Sequence, residues 1–107
     1  MTAFYDLPTI SAARAKAGKL YQEFLRVPAL SAGVYVLPAG ATDPQKPHKE
    51  DEVYYVARGR AKMRVASEEH VVKTGSVIFV PAGVEHVFFD ISEELEVLVF
   101  FAPAESS

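Results

Sequence analysis

Between Leu20 and Phe101 the chain breaks into short apolar runs that Gly or Pro interrupts about every ten residues, a rhythm that favours short strands joined by tight turns. The run Tyr21, Phe24, Leu25, Val27 stops at Pro28, and Val34-Tyr35-Val36-Leu37 stops at Pro38-Ala39-Gly40. Residues 53–57 precede Arg58-Gly59-Arg60, read as a turn, after which Met63 and Val65 alternate with polar neighbours. Ser67-Glu68-Glu69 is read as a second turn ahead of Val71-Val72. Residues 77–80 end at Pro81-Ala82-Gly83, and Val87-Phe88-Phe89 ends near Asp90. The last run, 95–101, becomes continuously apolar, as a strand covered on both faces does. Seven or eight such strands predict an all-β sandwich or barrel. With no long helical pattern between them, the sequence argues against a parallel βαβ sheet.

The first twenty residues differ. Residues 9–18 are rich in Ala, with Thr9 or Ser11 placed to cap a short helix and Gly18 placed to end it. The expected organisation is therefore one domain over 1–107: an arm or short helix over 1–20, a β-barrel over 21–103 and a frayed tail over 104–107. Phe4, Tyr5, Leu7, Tyr21, Phe24 and Leu25 are more apolar surface than an exposed arm carries, which predicts a homodimer.

Composition removes several functions. Eleven Lys plus Arg against fourteen Asp plus Glu give a net charge of −3, so no basic excess points to nucleic acid. No apolar run reaches the ~18 residues of a membrane span, and Met-Thr-Ala-Phe-Tyr-Asp lacks a basic, apolar signal start, so the cytoplasm is the default expectation. There is no cysteine, which excludes disulfides, thiolate zinc sites and Cys nucleophiles. Any metal has to be held by His, Glu, Asp or a carbonyl oxygen.

The chain has three histidines, His48, His70 and His86. Glu52 follows His48 by four residues, an even spacing that puts both side chains on one face of a strand. If the strands bearing His48 and His86 are neighbours, two imidazoles and a carboxylate meet in an apolar bowl, an arrangement suited to Fe(II) and acceptable to Mn, Ni, Co or Zn. Taken singly, His48 reads as a surface or capping residue, 50–52 as a solvated acidic run, and His86 as a rim residue bonded to a carbonyl. His70, after Glu68 and Glu69, reads as hairpin surface.

The full spacing resembles the two motifs of the cupin superfamily. Gly40, His48, Glu52 and Gly59 stand where the first motif has Gly, the second His of a His-x-His pair, Glu and Gly. Gly75, Pro81, Gly83 and His86 stand where the second has Gly, Pro-x-Gly and His, and 15 residues separate the two. There are two departures: Lys46 replaces the first His of the pair, and Asp90 replaces a terminal Asn. The resemblance implies a small double-stranded β-helix, a jelly-roll barrel, holding one divalent metal ion (Fe, Mn, Ni or Zn) through His48, Glu52 and His86. The ammonium of Lys46 is no ligand for a cation. Gln45 is the neighbouring oxygen able to take that place if the loop turns inward. On a regular strand Gln45 and Lys46 cannot both face in, and Lys46 is left to solvent or to an anionic substrate group.

Three functions follow from the resemblance. The first is a mononuclear metalloenzyme of dioxygenase, isomerase, decarboxylase or lyase type on a small polar molecule, with Glu52 as ligand or general base and Tyr54 as a phenol donor. The second is a non-catalytic domain that binds a small ligand and acts through a partner protein. The third is a structural subunit whose His48, Glu52 and His86 have become a hydrogen-bonded polar cluster. Tyr35, Tyr54, Val56, Met63 and Phe79 are the expected lining of the interior.

Overall fold

The structure, a computed structural model, describes residues 2–106. One helix, α1 (Leu7–Ala17), precedes six strands: β1 (Tyr21–Val27), β2 (Leu30–Leu37), β3 (Asp51–Val65), β4 (Glu68–Lys73), β5 (Val77–Val80) and β6 (His86–Ala102). All pairings are antiparallel, in the order β1-β2-β6-β3-β4, with β5 added to β3. The fold is the cupin double-stranded β-helix. Among the described residues no helix is long and apolar enough to cross a membrane.

The helix starts earlier than Thr9 or Ser11 would have it. Asp6 is its N-cap without a side-chain bond, and Pro8 sits in the first turn, where its missing N–H costs nothing. Gly18 ends it in the left-handed conformation, φ 70°, as expected. No helix residue is buried. Ser11 Oγ donates to the Glu96 carboxylate on β6, anchoring the helix outside the barrel.

β3 and β6 are longer than their apolar runs suggested, and the difference lies at two residues. Arg58-Gly59-Arg60 is no turn: β3 runs through it as a bulge, with register shifts against β6 between Val56 and Lys62. Gly59 has φ 105°, and a Cβ there would lie 2.2 Å from the Glu94 carbonyl oxygen, so only glycine allows the strands this close. Before the bulge the inward residues are Glu52, Tyr54 and Val56; after it they are Ala61 and Met63. The slip keeps one face inward while the strand turns a corner. β6 does the same at Asp90, φ 47°, passing from His86 and Phe88 to Ile91, Leu95 and Val97. Asp and Asn are the side chains that tolerate this conformation, which accounts for Asp90 at an Asn position. The reversal between β3 and β4 is at Ala66-Ser67, so Glu68 and Glu69 already belong to β4 and His70 is an exposed strand residue.

The core fills the bowl: Tyr35 and Leu37 from β2, Tyr54, Val56, Ala61 and Met63 from β3, and Phe88, Val97, Val99 and Phe101 from β6 are all buried. Phe79, expected among them, is 57% exposed on the outer face of β5. The tail is not frayed over 104–106. Ala104 N–H donates to the Pro28 carbonyl at 3.2 Å, Glu105 N–H to Ser31 Oγ at 2.8 Å, and Ser106 N–H and Oγ to Glu50 Oε2 at 3.1 and 2.6 Å. Ser107 lies outside the described residues.

Candidate metal centre

His48 sits on the loop between β2 and β3, Glu52 is the second residue of β3, and His86 is the first of β6. The Pro81-Ala82-Gly83 turn closes the gap between them. Gly83 N–H donates to the His48 carbonyl at 2.7 Å, and Ala82 N–H to Asp51 Oδ1 at 2.9 Å, so the turn leading to His86 is fastened to the segment bearing His48. Pro81 and left-handed Gly83 (φ 77°) shape that turn.

The three side chains converge as the spacing predicts. One ligand atom from each of His48, Glu52 and His86 lies within 4.8 Å of the others. His86 Nε2 is 3.3 Å and His48 Nε2 4.0 Å from Glu52 Oε1, and the imidazole centroids are 5.5 Å apart. Glu52 and the His86 ring are fully buried. His86 Nε2 and both Glu52 oxygens nevertheless have no hydrogen-bond partner among the described residues.

The outer nitrogens explain which way the lone pairs point. His86 Nδ1 is 2.9 Å from the Val84 carbonyl oxygen, which can only accept, so Nδ1 carries the proton. His48 Nδ1 is 3.2 Å from Glu105 Oε2, an ion-pair contact, and its Nε2 is 3.4 Å from Gln45 Oε1, so this ring stands between two acceptors. In a neutral His86 the Nε2 lone pair then faces Glu52, the arrangement that an acceptor behind the ring imposes on a ligating histidine. For His86, burial works against the charged form, but the Glu52 contact, the Val84 carbonyl and the charge of Asp43 outweigh it and raise its pKa above the ordinary value.

Gln45 also turns in, and Lys46 does not. Residues 41–48 are not a strand, so the alternation that would have forced a choice between them does not operate. Gln45 Oε1 accepts from the Tyr54 hydroxyl at 2.7 Å and lies 3.4 Å from His48 Nε2, while its Nε2 donates to Asp43 Oδ2 at 3.0 Å. Lys46 is exposed and borders a separate cavity with Arg64 and Glu85. Tyr54 is completely buried, and burial, then Glu52, lifts its pKa well above the usual phenol value, so it keeps its proton.

Two residues that position the site escaped the sequence reading. Asp43 is buried and accepts from Tyr35 Oη at 2.6 Å, Phe88 N–H at 2.9 Å and Gln45 N–H at 3.2 Å. Its one signal was an acidic residue inside the first motif. Glu105, assigned to the frayed tail, carried none. Beside His48 opens a cavity of about 270 Å³ bordered by Tyr21, Tyr35, Gln45, Val99, Phe101 and Glu105.

Residues 33–102 match the family model described as a cupin domain, and the chain belongs to that family. It is 51% identical over 102 residues to the uncharacterized protein SCO3923 of Streptomyces coelicolor, covering 95% of this chain and 97% of that one. The crystal structure of TT1209 from Thermus thermophilus superposes with a TM-score of 0.77 at 24% identity, over 96% of this chain and 99% of that one. The DMSP lyase DddQ from Ruegeria pomeroyi superposes with a TM-score of 0.70 at 21% identity, over 95% of this chain and 65% of that one. At these identities both structures speak to the fold alone.

Proposed function

We propose that this protein is a mononuclear metal-dependent enzyme acting on a small polar molecule, with His48, Glu52, His86 and Gln45 as the metal ligands. The observation that carries the reading is the convergence of His48, Glu52 and His86 on one point, with His86 Nε2 and both Glu52 oxygens buried and without a hydrogen-bond partner among the described residues. A polar cluster kept only for structure would satisfy its own hydrogen bonds, because each buried orphan costs about 1–3 kcal/mol. The spacing suits a first-row ion. Bonds of about 2.1 Å put adjacent ligands about 3 Å apart, close to the 3.3 Å between His86 Nε2 and Glu52 Oε1. Two imidazoles, a carboxylate and an amide oxygen accept Fe, Mn, Ni or Zn.

The ion, when bound, supplies Lewis acidity toward a substrate carbonyl and open positions for substrate. Glu52 has a second oxygen without a partner among the described residues and is the group to take up a substrate proton, as an isomerase or lyase requires. Tyr54, instead of giving up its proton, orients Gln45, while Asp43 holds the amide's other end so that the oxygen faces in. Phe101, edge-on to His48 at 4.9 Å, and Phe88, at 5.1 Å from Tyr54, keep water from the inner face.

The test is metal content after purification without chelator, for the wild type and for His48→Ala and His86→Ala. One equivalent in the wild type that both variants lose supports the proposal. No metal, and no rise in Tm on adding Fe, Mn, Ni or Zn, would overturn it. Oxygen uptake with small diketones, catechols or thiol acids separates a dioxygenase from an isomerase or lyase. We further propose a homodimer. Val53, Tyr55, Val77, Phe79, Leu98 and Phe100 are register neighbours on the outer face of β5, β3 and β6, where Val77 is 67% exposed.

A further inference from the structure

Two cavities border the site, one beside His48 and one beside His86, and only the first meets an exposed imidazole. The His48 side chain is 19% exposed and borders the 270 Å³ cavity, whereas the His86 side chain is 0% exposed. Leu20, Pro44, Val99 and Phe101 make this cavity apolar, and most of its polar atoms are already engaged. Tyr35 is bonded to Asp43, and Gln45 to Asp43 and Tyr54. Two polar groups remain for a ligand: the Tyr21 hydroxyl, whose oxygen is buried without a partner among the described residues, and the second oxygen of Glu105, whose Oε2 lies 3.2 Å from His48 Nδ1.

Both are held in place. The Tyr21 ring rests on Gly33, where an added Cβ would meet its hydroxyl oxygen at 2.3 Å, so the glycine makes its seat. Glu105 is held by its N–H on Ser31, a fully buried residue, and by Arg26, which donates to its main-chain carbonyl. Among the described residues no lysine or arginine borders the cavity. The guanidinium of Arg26 is occupied by that carbonyl and by Glu23 Oε1 at 2.7 Å. Lys46 and Arg64 border the other cavity, on the His86 side.

We propose, building on the metal reading, that this cavity holds the substrate and that Tyr21 and Glu105 select an uncharged or cationic molecule over a carboxylate of the same size. An acceptor on the substrate takes the Tyr21 proton, and a hydroxyl or amine donor faces Glu105. Charge counting favours the same class. Glu52 and Glu105 already match the charge of a divalent ion, and the buried carboxylates of Asp43 and Glu50 stand nearby, so an anionic substrate would add an unpaired charge between apolar walls. Burial, followed by the charges of Glu105, Glu23 and Glu52 and opposed by Arg26, raises the Tyr21 pKa, and its phenol stays a donor.

Benzylamine, benzyl alcohol and benzoate share a shape and differ in charge. Their titration into the metal-free full-length chain, followed by NMR shifts of His48 and Phe101, is the test. Benzylamine and the alcohol are expected to bind about tenfold tighter than benzoate, a gap set by like-charge repulsion. Glu105→Gln is expected to bring amine and benzoate to near equality. Tyr21→Phe weakens the alcohol by about fivefold, the scale of one hydrogen bond, and Gly33→Ala, which unseats the ring but keeps the hydroxyl, does the same. Benzoate binding as tightly as the amine, an unchanged ratio in Glu105→Gln, or no shift at those residues with any probe would each overturn the proposal. The series contains no metal, so its failure leaves the metal reading standing, whereas a wild type that takes up no metal in the metal-content test would overturn the metal reading and leave the order of the probes untouched.

Discussion

At the scale of single residues, the proposed metal ion would compete with a proton for the same atoms. Burial opposes a charge on His86, but Glu52 and the Val84 carbonyl prevail and raise its pKa. In the metal-free protein its charged form therefore adds stability fully below the unfolded value of about 6.5. That contribution disappears as pH rises through the higher folded value. Metal needs Nε2 unprotonated, so the Tm gain on adding Zn should grow across the same window, read by calorimetry from about pH 6 upward. A gain that shrinks with rising pH would contradict the assignment. Gln45→Ala removes the oxygen proposed as a ligand and leaves the Tyr54 hydroxyl without its acceptor. Metal affinity should fall by about ten- to a hundredfold, the range typical of supporting ligands, with the fold's circular dichroism retained. Tyr54→Phe should produce a smaller loss of affinity, because it frees Gln45 without removing it.

At the scale of elements, two residues let long strands bend without turning the core face outward. Gly59→Ala meets the Glu94 carbonyl and a left-handed backbone, and should cost at least ~1–3 kcal/mol in chemical denaturation. At Asp90, φ 47°, Asn should be nearly neutral while Val should cost more than ~1 kcal/mol. The strand positions and the helix end at Gly18 were legible in the sequence, because Pro and Gly punctuate locally. The continuity of β3 through Arg58-Gly59-Arg60 was not, since a turn glycine and a bulge glycine look alike until the partner strand is known. The same limit governs the site. His48, Glu52 and His86 were legible because their spacing travels with turn residues. Gln45 was judged by strand alternation that its loop does not obey, and Asp43 and Glu105 act through contacts between residues far apart in the chain, such as Glu105 on His48, 57 residues away.

For the whole molecule, β1 and the C-terminal segment border the candidate site. Glu105 holds His48 Nδ1 from the tail, and Tyr21 borders the cavity from β1. Deleting residues 104–107 should leave the barrel folded and lower metal affinity by about ten- to a hundredfold, as loss of a carboxylate that orients a ligating histidine does. The exposed face of Val77, Phe79 and Tyr55 belongs to the same scale. Light scattering at micromolar concentration should give twice 11.7 kDa, and Phe79→Lys should give the monomer. Tyr5 packs edge-on to Phe24 at 4.9 Å, leaving Phe4, 95% exposed, as the apolar residue of the arm free to reach a second copy. The most direct measurement of the central claim is an anomalous difference map from crystals grown with a first-row metal and recorded at its absorption edge. One peak about 2.0–2.2 Å from His48 Nε2, His86 Nε2 and a Glu52 oxygen is the expected result. A map without a peak there, with His86 Nε2 and Glu52 hydrogen-bonded to each other or to water, would contradict it.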